Sequence, residues 1–343
     1  MIIIFDQKMI IRAIKNRVKQ DVGIRGQKKR SSFFCAQIVI EYRHVKYAKG
    51  GTAMSKPVTG TTRLLALIGS PVSHSLSPEM MNYACQLLGL DYMYVAFDVS
   101  RDRVPAALEA MRTLGIRGFN VTMPCKIEAF RCADRLSPAA GIIGACNTLV
   151  NDGGTITGHI TDGEGYVNML RSEGVEIRGR KITVAGGGGA AAAIQVQCAL
   201  DGARAVTIFQ RRSATLERAL ETADKIRAAC PDCEVRVCDP QDRDLLRREI
   251  GESDIFANGT SVGMQPNADA SFIEDPSMFR PSLVVTDAVY DPVETKLLAD
   301  AKKAGCLTIG GKGMLLWQGV AAFKLFTGCD MPVEEVKARF FAD

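Results

Sequence analysis

The stretch KITVAGGGGAAAAI, residues 181–194, decides the fold, because it joins a predicted strand to a predicted helix through four consecutive glycines. Gly186, Gly188 and Ala191 match the G-x-G-x-x-G/A pattern of dinucleotide-binding turns. The first glycine permits a tight bend, the second lets the backbone approach a pyrophosphate, and the third small residue allows close helix–strand packing. The amide groups at the helix start then face the anion. The stretch predicts a dinucleotide site; the alternative is a merely tight strand–helix turn.

The next predicted strand ends at Gln210–Ser213, about 24 residues after Gly186. An NAD-selective turn carries Asp or Glu here, and its carboxylate accepts a hydrogen bond from the ribose 2′-hydroxyl. This chain instead has Arg211 and Arg212, and guanidinium groups suit the 2′-phosphate of NADP. The turn predicts NADP, with NAD possible; the alternative is a solvated basic turn.

Strands and helices alternate on both sides of the glycine turn. Downstream strands are predicted at EVRVCD, DIFANGT and LVVTDAVY, and upstream strands at RLLALIGS, DYMYVAFDV and GFNV. The first upstream helix has Ser77 as its predicted N-cap and Pro78 in its first turn. We predict a two-domain α/β protein with an open α/β substrate domain and a Rossmann-like dinucleotide-binding domain. The substrate domain spans residues 54–160 and is completed by 314–343, and the dinucleotide domain spans 161–313.

The composition is that of an ordinary globular protein, with 47% hydrophobic and 24% charged residues in 343. No apolar run approaches the roughly 20 residues that span a bilayer, so no membrane-spanning segment is expected, and no membrane partner is expected for the body of the protein. Eleven cysteines, an odd number scattered along the chain, predict reduced thiols and a cytoplasmic protein. CPDC, residues 230–233, has metal-ligand spacing without a second Cys/His pair nearby. We therefore predict that it ends a helix, and that the protein holds no metal.

Residues 1–53 contain 12 basic and 3 acidic residues, which leaves 31 basic and 35 acidic residues in the rest. The body of the protein is therefore mildly acidic, and no nucleic-acid partner is expected for it. The basic segment is either an arm that touches RNA or membrane, or the product of a mis-assigned start codon. We expect translation to begin at Met54.

The stretch GFNVTMPCK, residues 118–126, places polar groups at the mouth of a predicted strand. An amide, a hydroxyl and an ammonium stand close together there, and a proline stiffens the turn. Such groups on a rigid turn predict a site for a polyhydroxylated ligand.

Seven motifs in order resemble those of the shikimate dehydrogenase family, including its quinate/shikimate paralogues, over about residues 63–343. They are SHSLSP, NVTMPCK, GACNTL, TDGEG, NGTSVGM, VYDPVETKLL and GGKGMLLWQG. The resemblance implies reversible NADP-linked reduction of 3-dehydroshikimate to shikimate, an oxidoreductase activity on a CH–OH group. Quinate with NAD or NADP is the first alternative, and a non-catalytic ligand-sensing protein on the same fold is the second.

The resemblance also implies the roles of individual residues. Lys126 and Asp162 are the expected catalytic pair. The expected substrate contacts are Ser75 and Ser77 for the carboxylate, with Thr122, Asn147 and Gln318 for the hydroxyls. The expected cofactor contacts are Gly186, Gly188, Gly189, Ala190, Gln210, Arg211, Arg212, Thr260, Gly263, Met264, Tyr290 and Gly311.

Two positions depart from the family pattern. Ile160 replaces an Asn in the family's Asn-Thr-Asp-Gly turn, and Ile cannot repeat the hydrogen bonds of that amide. Ser213 stands where paralogues that also use NAD carry an acidic residue, which favours NADP. The resemblance leaves open a monomer or a homodimer.

Overall fold

The computed structural model describes residues 57–341. The predicted basic arm and the expected start at Met54 lie outside the described residues. Within them, two six-stranded sheets are combined with helices, which confirms the predicted two-domain α/β class. None of the described helices combines the length and apolar composition needed to cross a bilayer.

The first sheet has the strand order β2-β1-β3-β5-β6-β4. The strands are β1 Arg63–Gly69, β2 Tyr92–Asp98, β3 Gly118–Val121, β4 Arg135–Leu136, β5 Thr148–Asp152 and β6 Thr155–His159. β1 pairs in parallel with β2 and β3, but β5 runs antiparallel to both β3 and β6. The antiparallel hairpin of β5 and β6 was not predicted from the sequence. It turns at Gly153 and Gly154, whose positive φ angles of 61° and 95° suit glycine.

The second sheet has the order β12-β11-β10-β7-β8-β9 and is parallel throughout. Its strands are β7 Lys181–Ala185, β8 Ala205–Phe209, β9 Glu234–Cys238, β10 Ile255–Asn258, β11 Val284–Asp287 and β12 Leu307–Ile309. β7 and β8 are buried along their whole length, as expected for central strands covered on both faces. The order reverses direction at β7, and ligands of such sheets bind at the carboxyl ends of the strands near that point.

The helices are α1 Ser77–Leu88, α2 Val104–Thr113, α3 Lys126–Cys132, α4 Pro138–Ile143, α5 Thr161–Ser172, α6 Gly189–Leu200, α7 Leu216–Ala229, α8 Arg243–Glu252, α9 Lys296–Lys303, α10 Gly311–Thr327 and α11 Val333–Phe340. The predicted N-cap of α1 is wrong: Leu76 holds that position and Ser77 is the first helical residue. The backbone of Leu76 is already helical, and the Ser77 N–H donates to Ser75 Oγ at 3.2 Å. Ser75 therefore satisfies the first N–H of the helix, and no side chain caps it in the usual way.

The last two helices pack on the first sheet, although they follow the second sheet in the chain. Phe323 and Phe326 of α10 are fully buried in a cluster with Leu65 and Leu67 of β1. A Cβ on Gly118 would lie 2.3 Å from the Phe326 ring, so glycine is required for this approach. The Arg117 Nε–H also donates to the Phe326 carbonyl at 2.9 Å.

Helix α5 packs closely against α6 on one side and α10 on another. A Cβ on Gly163 would lie 2.5 Å from the Ala193 carbonyl oxygen, and one on Gly165 would lie 2.5 Å from the Gln318 nitrogen. Both glycines therefore bring the backbones into contact. Since Asp162 is in the first turn of α5, these contacts fix its position relative to both neighbouring helices.

Candidate active site

Lys126 and Asp162 form an ion pair, with 2.7 Å between Nζ and Oδ2. Lys126 is the first residue of α3, just after the loop that follows β3, and Asp162 is the second residue of α5. Their side chains are 31% and 21% exposed, so each remains within reach of a ligand. The structure thus brings together the two residues that the sequence predicted as the catalytic pair.

Asn147 holds Asp162 from the other side. Its amide donates to Asp162 Oδ1 at 2.9 Å and to Thr161 Oγ1 at 3.0 Å. Its oxygen accepts the Thr161 N–H at 2.8 Å. Asn147 is 3% exposed, and both its amide hydrogens bond to protein here. In this structure it therefore orients the carboxylate, and its predicted role of binding a substrate hydroxyl requires that one of these bonds be exchanged.

The Ile160 side chain is buried in the main hydrophobic cluster, 6% exposed. Ile160 is the N-cap of α5 and provides no side-chain hydrogen bond to the helix start. The Asn147 oxygen accepts the first helical N–H instead. The helix start is therefore satisfied without the Asn that the family pattern has at this position.

A buried polar network that the sequence did not predict lies beside the two serines. Burial raises the pKa of the Tyr94 phenol, while the nearby Ser77 side chain acts in the opposite direction. Tyr94 donates to Asn120 Oδ1 at 2.9 Å, and Asn120 donates to Thr148 Oγ1 at 3.1 Å. Thr148 donates to Asn147 Oδ1 at 3.1 Å. The network thus links Tyr94 to Asn147, the residue that orients Asp162.

The other predicted substrate contacts are Thr122, directly after β3, and Gln318, in the middle of α10. Thr122 follows β3, and its methyl group lies against the backbone of Gly69 at the end of β1. Gln318 is on α10 with its backbone against Gly165, one turn from Asp162. Its amide donates to the Leu315 carbonyl at 3.0 Å.

A pocket of about 300 Å³ lies at the carboxyl ends of the second sheet. Its lining includes five of the predicted cofactor residues: Gly189, Ala190, Thr260, Met264 and Tyr290. The sequence analysis missed the other five lining residues, which lie next to these in the same loops: Gly259, Ser261, Ala288, Val289 and Asp291.

The glycine turn has the shape that a dinucleotide needs. Gly186 has φ +107°, and a Cβ there would lie 2.9 Å from the Thr260 side chain. A Cβ on Gly188 or Gly189 would meet only open space, so the start of α6 is free for a ligand to approach. A pyrophosphate fits this turn, which also presents the positive end of the helix dipole.

The remaining predicted cofactor residues lie at the turn after β8 or under the pocket. Arg211 and Arg212 are exposed, and Arg212 Nε lies 3.7 Å from Asp239 Oδ2. Gln210 is 6% exposed, and its amide donates to the Arg211 carbonyl and to Ser213 Oγ. Gln210 therefore supports the turn and does not face the open side.

Gly263 and Gly311 are both buried. Gly263 has φ +91°, and a Cβ on Gly311 would lie 2.5 Å from the Ala288 carbonyl oxygen. Gly263 thus allows a backbone angle that other residues rarely adopt, and Gly311 allows α10 to begin in contact with the backbone of Ala288. Among the described residues, no group of His, Cys, Asp and Glu side chains could hold a metal ion.

Comparison with known proteins gives two family-model matches. The shikimate dehydrogenase substrate binding domain matches residues 67–149, and the shikimate 5′-dehydrogenase C-terminal domain matches residues 311–339. A curated shikimate dehydrogenase (NADP(+)) from Listeria monocytogenes is 45% identical over 84% of this chain and 99% of its own length. A quinate/shikimate dehydrogenase from Escherichia coli is 43% identical over 82% of this chain and 97% of its own length.

Among solved structures, shikimate 5-dehydrogenase from Listeria monocytogenes, in complex with shikimate and NAD, superposes with a TM-score of 0.80. It is 44% identical, and the match covers 84% of this chain and 99% of that one. Sequence and structure thus agree over nearly the full length of these relatives, and the chain belongs to the shikimate dehydrogenase family.

Proposed function

We propose that this protein catalyses the reversible NADP-linked interconversion of 3-dehydroshikimate and shikimate. The observation that carries the proposal is the Lys126–Asp162 ion pair, with 2.7 Å between Nζ and Oδ2. The glycine turn at the start of α6 also leaves room for the pyrophosphate of a dinucleotide. The Listeria monocytogenes relative, 45% identical, carries the name shikimate dehydrogenase (NADP(+)). The family resemblance implies that this reaction is a step of aromatic amino-acid biosynthesis.

The protein's own residues position the substrate and manage the proton. Ser75 and Ser77, at the start of α1, bind the substrate carboxylate, where the helix dipole also favours an anion. Thr122 and Gln318 bind ring hydroxyls, because each can both donate and accept hydrogen bonds, and Asn147 does so by exchanging one of its bonds to protein.

Lys126 donates a proton to the carbonyl oxygen as negative charge develops on it, and takes that proton back in the reverse direction. Asp162 orients the ammonium and accepts a hydrogen bond from a substrate hydroxyl. When bound, NADP supplies the hydride chemistry, so the protein's task is to hold the reactants and the proton in place.

NADP is held by residues of the second sheet. Gly186, Gly188, Gly189 and Ala190 form the pyrophosphate turn. Arg211 and Arg212 bind the 2′-phosphate, and Gln210 supports that turn. Thr260, Met264 and Tyr290 line the rest of the pocket, and the buried Gly263 and Gly311 allow the backbone shape of its loops. We assign residues 54–160 with 314–343 to the substrate domain and 161–313 to the NADP domain.

Quinate with NAD or NADP is the second candidate function. A relative 43% identical to this chain is named quinate/shikimate dehydrogenase, which favours this candidate. A sensor without turnover has no need of a proton-transfer pair, and Lys126 and Asp162 therefore argue against that reading. The protein is expected to work in the cytoplasm as a monomer or homodimer.

The test is an assay of the purified full chain that follows reduced nicotinamide by its absorbance. Shikimate and quinate are each mixed with NADP and with NAD, and the four values of kcat/KM are compared. We expect shikimate with NADP to give the highest value. A higher value for quinate would replace the substrate assignment, and no turnover in any of the four mixtures would refute the enzyme proposal.

A further inference from the structure

Two loops at the ends of neighbouring strands form most of the dinucleotide pocket. The loop after β10 contributes Gly259, Thr260, Ser261 and Met264, and the loop after β11 contributes residues 288–291. These pocket residues lie outside the helices and strands. The shape of the pocket therefore depends on the side chains that hold the loops.

The Asp287 carboxylate bonds to both loops. Asp287 is the last residue of β11 and is 2% exposed. Its Oδ1 accepts a hydrogen bond from Asn258 Nδ2 and another from the Val289 N–H, both at 2.9 Å. Asn258 ends β10, so one oxygen atom joins the two strand ends at the point where the loops begin.

Asn258 extends this connection into the first loop. Its oxygen accepts the Thr260 N–H at 3.1 Å and the Thr260 hydroxyl at 2.6 Å. Its amide donates to the Val262 carbonyl at 3.1 Å. Thr260, a lining residue of the pocket, is thus held by an amide whose own orientation Asp287 sets.

The second carboxylate oxygen bonds to α9. Asp287 Oδ2 accepts the Thr295 hydroxyl at 2.7 Å, and Thr295 is the N-cap of that helix. An ideal Cβ on Gly263 would lie 3.5 Å from Thr295 Cβ, so the first loop rests on this threonine. Both loops therefore depend on one buried carboxylate.

All three donors to this carboxylate are uncharged, and burial raises the pKa of Asp287 to about 6. A buried carboxylate without a cation is costly for stability. Its presence here is better explained by the pocket geometry that it enforces than by a contribution to folding.

We propose that Asp287 is a positioning residue, whose carboxylate locks the loops 258–264 and 287–291 into the arrangement that receives the dinucleotide. This inference rests on the proposed function, because it takes NADP to be the molecule that occupies the pocket. Asp287 acts through Asn258, Val289 and Thr295.

The test compares Asp287→Ala with Asp287→Asn. NADP is titrated into each protein in a calorimeter, which gives a dissociation constant without turnover. We expect Asp287→Ala to weaken NADP binding about 10-fold or more, because loss of the acceptors leaves buried donors unpaired. In the steady state its KM for NADP should rise while the KM for shikimate stays within about twofold.

Asp287→Asn should bind NADP within about threefold of the wild type. Its oxygen can still accept from Asn258 and Val289, and the Thr295 hydroxyl can turn to accept from the new amide. Near-normal NADP binding by Asp287→Asn would show that the hydrogen bonds of residue 287, and not its negative charge, hold the loops. An Asp287→Asn protein as weak as Asp287→Ala would overturn the proposal.

Thr183→Val is the matched control. It removes a buried 2.6 Å hydrogen bond to Ser253, which lies just before the amino end of β10 and therefore away from the pocket at the carboxyl ends, and it should leave NADP binding unchanged. If Asp287→Ala does not fold, Asn258→Ala should show the same NADP-selective loss. The inference would be overturned if Asp287→Ala, or Asn258→Ala in its place, bound NADP as tightly as the wild type. It would also be overturned if Thr183→Val lost as much NADP affinity as that variant. A wild-type protein that binds no NADP would instead refute the proposed function.

Discussion

Lys126 Nζ lies 2.7 Å from Asp162 Oδ2, although the two residues are 36 positions apart and begin different helices. Helix α3 begins five residues after the end of β3, and α5 begins two residues after the end of β6. The backbone positions of these two helix starts therefore set the distance between the Lys126 and Asp162 side chains. Asn147 holds the second oxygen of the carboxylate at 2.9 Å. The ammonium is therefore in place before any ligand arrives, as electrostatic preorganisation requires.

Lys126→Met should lower kcat far more than it changes the KM for shikimate. The charge of Lys126 interacts most strongly with the transition state, in which the reacting oxygen carries the most negative charge. We expect a fall of roughly 10²-fold or more, the usual scale for loss of a positioned acid–base group. Steady-state kinetics with saturating NADP measures both constants.

Lys296→Met is the control for this variant, because Lys296 pairs with Asp300 on the exposed side of α9. It should keep the wild-type kcat. A Lys126→Met enzyme that retains its kcat and loses only affinity would make Lys126 a binding residue without a role in proton transfer.

Arg211→Ala and Arg212→Ala should raise the KM for NADP much more than the KM for NAD. Only NADP has the 2′-phosphate that a guanidinium can bind with two hydrogen bonds. We expect about 10-fold or more for NADP, and less than about threefold for NAD. Arg243→Ala, which removes an arginine from a surface ion pair with Glu274, is the control. Equal changes for both cofactors would show that the turn does not read the phosphate.

The local patterns in the sequence predicted the parallel second sheet and its glycine turn well. A buried run such as KITVA followed by glycines has few other structures available to it. The β5–β6 hairpin was not predicted, because the residues of both strands resemble a motif and a loop, and β5 carries no clear alternation of apolar and polar side chains. The position of α10 on the first sheet depends on contacts such as Phe326 with Gly118, which no local pattern encodes.

The motifs predicted Lys126 and Asp162 as a pair, and the two side chains are in contact, but no motif predicted what holds them in place. Tyr94 and Asn120 lie on separate strands, and their 2.9 Å hydrogen bond depends on how those strands are placed in the sheet. Asp287 lies within the predicted strand LVVTDAVY, but no local pattern distinguishes it from its neighbours. Its importance follows from three contacts, two of which come from residues more than six positions away.

Ile160→Asn, which restores the family pattern, should destabilise the protein. A side-chain cap at this position is worth about 1 kcal/mol, but removing a buried Ile side chain costs about 1.5–3 kcal/mol. The new amide would also be buried. We expect a net loss of about 1–3 kcal/mol in the free energy of unfolding, measured by urea denaturation.

Turnover of Ile160→Asn should stay within about threefold of the wild type, because Asn147 still orients Asp162. Ile160→Val, a smaller apolar change at the same site, should cost about 1 kcal/mol. Greater stability in Ile160→Asn than in the wild type would mean that the helix start is poorly satisfied as it stands.

Asp287→Asn should also change how stability depends on pH. The ordinary pKa of an aspartate is 3.8, and burial raises that of Asp287 to about 6 in the folded protein. Between these values the unfolded chain releases its proton while the folded protein keeps it. The contribution of Asp287 to stability is therefore fully present below about pH 4, falls as the pH rises to about 6, and is constant above that.

The difference between the two pKa values corresponds to about 3 kcal/mol, since one pKa unit is worth 1.36 kcal/mol. Asn does not titrate, so the free energy of unfolding of Asp287→Asn relative to wild type should rise by about this amount between pH 4 and pH 7. Urea unfolding of both proteins at several pH values measures the difference, and the other titrating groups cancel in it. Parallel pH profiles for the two proteins would show that the Asp287 carboxylate is solvated as an ordinary aspartate, and would remove the cost that we infer for its position.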